Sequence, residues 1–301
     1  MNGEKIMSEI SDKIRKEFGE KDDERDAGLG IPDDVERFCD IVYGEDSSWQ
    51  MLDVYRPKTG NGNPLPVIVS VHGGGWVYGD KERYQYYCMD LARRGFAVVN
   101  FTYRLAPEHK FPAPLEDTNL VMGWCQRNAA EYGFDMGNVF AVGDSAGAHI
   151  LALYACILTN NEYASSYDFR APEGLRLKAI ALNCGQYHIE IVASDPQTRE
   201  LLAELLPEGG TKEEQRLASP DLFINSDFPP TFFMTAPKDF LLPQAQVLQL
   251  ALLKAQVNFT YRFYCDPYSS LGHVFHLNIK SDWAKKCNDE ECDFFRKFFN
   301  K

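Results

Sequence analysis

The chain has 301 residues, 45% of them hydrophobic, 25% charged and 13% aromatic, a globular composition long enough to bury a substantial core without a metal or disulfide staple. Its formal net charge of −13 argues against nucleic acid as the main partner, because phosphate backbones are gripped by clustered Lys and Arg. The eight cysteines are scattered with no C-x-x-C pair, so they read as reduced thiols of a cytoplasmic protein, and no run reaches the roughly 18–20 apolar residues of a membrane span.

Charged residues interrupt the N-terminus from Glu4 onward, so no secretory leader is read there. Ile6, Ile10, Ile14 and Phe18 recur at i+4 spacing and predict an amphipathic helix packed on the protein's own body. The mixed charges from Glu4 to Glu24 do not make a basic lipid-binding face. Two runs, Val35–Tyr43 and Trp49–Tyr55, are joined through Gly44-Glu45-Asp46-Ser47 and predict an antiparallel hairpin.

From Val67 onward, short apolar runs alternate with helical patterns. The predicted strands are Val67–Val71, Ala97–Tyr103, Val139–Val142, Ala179–Asn183, Thr231–Thr235 and Phe259–Tyr264. The predicted helices are Tyr84–Arg94, Leu115–Ala130, Ala146–Leu158, Pro243–Ala255 and Asp282–Phe299. Strands so nearly unbroken in apolar character are covered on both faces, and the alternation predicts an α/β fold with a mostly parallel, doubly wound sheet of about eight strands. Residues 1–34 and 187–228 stand outside this rhythm, the second containing the helical pattern Gln197–Leu206. Insertions after strands of such a sheet often cover active sites, so both segments are expected to form a small helical cap on a catalytic domain of residues 35–301.

The strongest chemical signal is Gly143-Asp144-Ser145-Ala146-Gly147, between a predicted strand and a predicted helix. That is the context of a nucleophile elbow: glycines let the turn close, and the helix N-terminus favours a developing oxyanion beside Ser145. The second signal is His72-Gly73-Gly74-Gly75-Trp76 at a strand end, where bare backbone N–H groups, with that of Ala146, would stabilise an oxyanion. No lysine follows these glycines and no G-x-G-x-x-G spacing is present, which argues against a nucleotide site. His72 itself reads as a brace for the loop.

A serine hydroxyl needs a base and an orienting carboxylate, in the chain order Ser, acid, His. Asp239 follows the strand Thr231–Thr235 and His273 follows Phe259–Tyr264, so both lie beyond strand C-termini. Their competitors rank lower. His276 falls further into a presumed helix, and Asp266 shares the loop of His273 instead of sitting at a neighbouring strand end. His109, His149 and His188 read as structural or exposed. Trp76, Tyr187 and Phe240 are candidates to line a substrate pocket, with core packing as the alternative for each.

Together HGGGW, the segment Tyr103-Arg104-Leu105-Ala106-Pro107-Glu108-His109 and GDSAG resemble the hormone-sensitive-lipase family of bacterial esterases and lipases, over roughly Val35 to Phe299. Pro229-Pro230-Thr231-Phe232-Phe233-Met234-Thr235-Ala236 before Asp239 is similar to the family's acid region. The resemblance implies the α/β-hydrolase fold, a triad of Ser145, Asp239 and His273, an oxyanion hole from Gly74, Gly75 and Ala146, and a cap partly built from the N-terminus. Three places depart from the family: Ala148 and Val274 stand where glycine is usual, and the acid region reads Pro237-Lys238-Asp239-Phe240-Leu241-Leu242.

The reading is a serine carboxylesterase that works without cofactor or metal. The resemblance implies short acyl esters, acetyl above all, with acetylated saccharides as a candidate class and a homodimer left open. Two other functions compete: an amidase, formamidase or peptidase using the same three residues, and a non-catalytic binding protein on a hydrolase scaffold.

Overall fold

The computed structural model describes residues 8–58, 62–190, 194–266 and 270–300; Ile6 of the predicted stripe lies outside them. Among the described residues, eight strands form one sheet: β1 (Val35–Val42), β2 (Met51–Pro57), β3 (Leu65–Val71), β4 (Ala97–Phe101), β5 (Phe134–Asp144), β6 (Ala179–Asn183), β7 (Thr231–Thr235) and β8 (Phe259–Phe263). Their spatial order is β1-β2-β4-β3-β5-β6-β7-β8. β2 pairs antiparallel with both β1 and β4, as the hairpin signal required of the early edge, and every later pairing is parallel. This is the α/β-hydrolase architecture.

The sheet has helices on both faces, which is why its strands read as continuous apolar runs. Val67, Val69 and Val71 of β3 belong to one buried cluster with Leu151, Leu153 and Val121, while Ile68 belongs to the opposite one with Met89, Leu91 and Phe295. All of these side chains are fully buried, and each such aliphatic contributes about 1.5–3 kcal/mol relative to an exposed one.

Element boundaries differ from the expected ones where polar residues interrupt the pattern. β5 runs for 11 residues, beginning at Phe134 instead of Val139. Its partner β3 shifts register between Pro66 and Val67, pairing first with Asp135 and then with Val139, so the residues between bulge outward and hide the strand's first half from a periodicity reading. The presumed helix around His276 is only a single 3₁₀ turn, Phe275–Leu277.

The N-terminal helix, Glu9–Asp26, carries the predicted stripe: Ile14 is fully buried, and Ile10 and Phe18 pack beside it. Arg15 clamps it to the body, donating to both carboxylate oxygens of Glu108 at 2.8 and 2.6 Å and to the carbonyls of Val77 and Ala106. The Ser8 hydroxyl donates to Glu204 at 2.7 Å, joining this helix to the helix Pro196–Leu205 of the later segment. Among the described residues no helix is long and apolar enough to cross a membrane.

The chain passes from β3 to β4 on one side and then to β5 on the other. The order therefore reverses at β3, where open α/β sheets form a crevice beyond the strand C-termini. The glycine loop leaves β3 and Ser145 follows β5, so the strongest sequence signals converge there.

Candidate active site

Ser145 occupies a sharp turn between β5 and the helix Ala146–Thr159, with φ 52° and ψ −119°. Such a conformation costs a non-glycine residue on the order of 1–3 kcal/mol and persists only where its surroundings enforce it. Gly147 is needed for the turn to close, because a Cβ there would overlap the carbonyl oxygen of Val71. From the neighbouring strand end, the Asn183 carbonyl accepts the Ser145 N–H at 2.9 Å.

Three separate loops bring the predicted polar groups together. His273 Nε2 lies 2.9 Å from Ser145 Oγ, and His273 Nδ1 lies 2.7 Å from Asp239 Oδ1. A backbone stitch fixes the two later loops against each other, with a parallel bridge between Lys238 and Gly272 and the Lys238 N–H donating to Leu271 at 3.0 Å. Val274 takes up φ 49° and ψ 33°, the left-handed region, which explains why glycine would be at ease in its place.

Asp239 is 4% exposed, and its oxygens accept from the Thr235 hydroxyl at 2.6 Å and the Leu241 N–H at 2.9 Å. Burial pushes its carboxyl up. The hydrogen bond and charge of His273, with the Thr235 and Leu241 donors, more than reverse this and hold it below the ordinary carboxylate range. A carboxylate so held stays ionised beside the imidazole.

The glycine loop is braced from behind. The Gly73 N–H donates to Tyr84 Oη at 2.8 Å, and that hydroxyl donates to Asp144 Oδ2 at 2.8 Å. Gly73 is thus already committed to the protein. Among the described residues, the N–H groups of Gly74, Gly75 and Ala146 donate to no protein acceptor. Gly74 has φ 118°, and a Cβ there would overlap the Tyr78 carbonyl. His72 is fully buried, stacked on the Tyr103 ring at 4.0 Å, with Nδ1 2.7 Å from the Gly73 carbonyl, which is the bracing position its place at the strand end suggested.

Two cavities, of 460 and 410 Å³, open on either side of Ser145. Gly73 and Gly74 line the first, Gly75, Trp76 and Ala146 the second, while Phe18, Lys21, Phe240 and His273 face both. Of the pocket candidates, Phe240 is exposed at the mouth with its ring 4.3 Å from that of His273. Trp76 is largely buried and donates from Nε1 to His149 Nδ1 at 3.1 Å, and His149 Nε2 in turn meets the Ala218 carbonyl at 2.7 Å. Tyr187 lies deeper: it is fully buried, donates to the Leu182 carbonyl at 3.1 Å and is absent from the lining of both cavities, so packing accounts for its position.

The supports that local sequence patterns do not announce are Tyr84, Asn183 and Glu291. Glu291, from the helix Asp282–Arg296, is fully buried and accepts from Asn183 Nδ2 at 2.7 Å and from Tyr87 Oη at 3.2 Å. Burial pushes both Glu291 and Asp144 up to about 7. Burial likewise pushes His72 and His149 down to about 4 and His276 to about 3.

These shifts oppose one another in acid. Between pH 6.5 and 4 the unfolded chain gains protons at three histidines that the folded chain keeps neutral, and stability falls. Over the same range Asp144 and Glu291 gain protons mainly in the folded chain, which opposes that fall. Each buried histidine therefore adds to the loss of stability in acid, and removing one removes its share. His276 has no protein partner for either ring nitrogen among the described residues. His276→Phe should therefore flatten the dependence of the urea midpoint on pH between 6 and 4.5, and an unchanged slope would remove His276 from this balance.

The BD-FAE family model matches residues 52–253. Esterase LipC of Mycobacterium tuberculosis is 29% identical over 250 residues, 79% of this chain and 59% of that protein. The versiconal hemiacetal acetate esterase of Dothistroma septosporum is 28% identical over 247 residues, 74% of this chain and 70% of its own. The chain thus spans less than two thirds of LipC's length. A crystal structure of inhibited esterase B from Lactobacillus rhamnosis superposes with a TM-score of 0.87 at 25% identity, covering 97% of each chain.

Proposed function

The chain belongs to the BD-FAE family, and from that premise we propose that it is a serine carboxylesterase acting through an acyl-enzyme on Ser145. The observation that carries this reading is the unbroken hydrogen-bonded line from Ser145 Oγ through His273 to Asp239, 2.9 and 2.7 Å per link. The names of the similar proteins support the reaction class.

His273 Nε2 takes the Ser145 proton as Oγ attacks the ester carbonyl, while Asp239 accepts the Nδ1–H and balances the imidazolium. Gly74, Gly75 and Ala146 offer their N–H groups to the tetrahedral oxyanion, each such donor being worth about 10²–10³ in turnover. The imidazolium then protonates the departing alcohol, and water repeats the sequence on the acyl-enzyme.

Residues 1–34 and 187–228 act as the cap: Phe18 and Lys21 from the first, and Gln197, Thr198 and Leu201 from the second, line the second cavity. The substrate is a short-chain acyl ester, acetyl foremost. The polar lining from Gln186, Asp195, Gln197 and Thr198 suits a hydroxyl-rich partner such as an acetylated saccharide. The eight free thiols fit the reducing cytoplasm. The edge strand β8, with Phe263, Leu250 and Leu253 exposed nearby, is where a second copy would pair in a homodimer.

A nitrophenyl ester series tests the substrate claim. Acetyl and butyryl esters should be turned over at least about tenfold faster than the dodecanoyl ester, and faster than the matched acetanilide. Best activity on the dodecanoyl ester would overturn the short-acyl reading, and preference for the anilide would overturn the esterase reading.

A further inference from the structure

Cys184 follows β6 with φ 50°, a backbone position that side chains rarely hold, and its thiol is buried against Asp239. Its Sγ, an Asp239 carboxylate oxygen and a His273 ring nitrogen all lie within 4.8 Å of one another. A second sulfur stands on the other side: Cys184 Sγ is 3.8 Å from Met234 Sδ. There the thiol donates to the thioether, and two sulfurs sharing one metal at about 2.3 Å stand roughly 4 Å apart, so the pair needs little movement to become two ligands.

We propose that Cys184, Met234 and His273 form an inhibitory site for a soft cation, Cu(I), directly behind the reacting imidazole. Thiolate, thioether and imidazole together select Cu(I), whereas hard cations would find one carboxylate, Asp239, already committed to Thr235, Leu241 and His273. The backbone holds the sulfur pair in register, since the Cys184 N–H donates to the Met234 carbonyl at 2.9 Å. His273, one-fifth exposed, is the ligand an incoming ion meets first.

Proton balance makes the site inhibitory. Cys184 releases its thiol proton to solvent, and His273 Nδ1 binds the ion in place of its contact with Asp239. The Nδ1 proton passes through solvent to Nε2, which then donates to Ser145 and can no longer take its proton. Copper stays Cu(I), and no electrons move. Metal uptake stands independently of the esterase reading; the loss of activity rests on it.

The test uses the full chain in a Cys39→Ser, Cys265→Ser background, which removes the two exposed thiols. Cu(I) is supplied in competition with bicinchoninate, and bound metal is measured without substrate before hydrolysis of nitrophenyl acetate is followed. One tightly held Cu(I) per chain is expected, with activity falling in step. Cys184→Ala should lose that ion and keep its own metal-free rate, and Met234→Leu should weaken binding at least about tenfold. Equal Cu(I) affinity in Cys184→Ala, or in Met234→Leu alone should the first variant not fold, would overturn the site. A loaded chain that still turned over at its full rate would overturn the inhibition. Uptake with these variant effects in a chain that hydrolyses no ester would instead refute the functional reading while leaving the metal site standing.

Discussion

Replacing Ser145 by alanine should lower kcat for nitrophenyl acetate by about 10⁵–10⁶-fold while leaving the fold intact. The hydroxyl is the atom that attacks in the first half of the proposed mechanism, and His273 Nε2, 2.9 Å away, then has no side-chain nucleophile to activate. The residual rate would come from the N–H groups of Gly74, Gly75 and Ala146 acting on a water. Removing a strained φ of 52° is not what the substitution does, since alanine carries the same Cβ, so thermal stability should change little. A kcat within tenfold of the parent would take the nucleophile assignment away from Ser145.

Asp239→Asn should cost about 10³–10⁴ in kcat, with KM within about threefold of the parent. An amide oxygen placed where Oδ1 now sits can still accept from the Leu241 N–H and from His273. The amide NH₂ would then face Thr235, whose hydroxyl can turn round to accept. Geometry is therefore preserved, and the negative charge is what disappears. In a site where Asp239 is 4% exposed, water cannot replace that charge beside the imidazolium. The loss should thus fall on turnover and spare binding. An unchanged kcat would show that the carboxylate is not needed.

The parts of the site that sequence made legible are those whose chemistry is local. Ser145 sits in a turn that few sequences can form, and its flanking Gly147 is required by the Val71 carbonyl pressed against it. Gly74 is legible for the same reason, its positive φ and the Tyr78 carbonyl leaving room for nothing larger. Asp239 and His273 could be placed because strand ends mark where a parallel sheet gathers its active groups. Eight strands and their mostly parallel pairing followed from the alternation of apolar runs, whereas the true start of β5 was concealed by a bulge.

The bracing groups left no such trace. Tyr84 meets Asp144 across 60 positions and Asn183 meets Glu291 across 108, so no local spacing announces either pair. A buried carboxylate on a helix looks, in sequence, like any solvated Glu. Tyr187 illustrates the converse: an aromatic residue near a strand end is as ready to fill the core as to line a pocket, and its hydroxyl found the Leu182 carbonyl. Cys184 carried no signal either, because its partners Met234, Asp239 and His273 come from β7 and two later loops.

The most direct test of the account is to treat the protein with a fluorophosphonate and map the product by mass spectrometry. One adduct per chain, on Ser145, with hydrolytic activity falling in proportion to its formation, is the predicted outcome. No adduct, or one on another residue while ester hydrolysis continues undiminished, would contradict it.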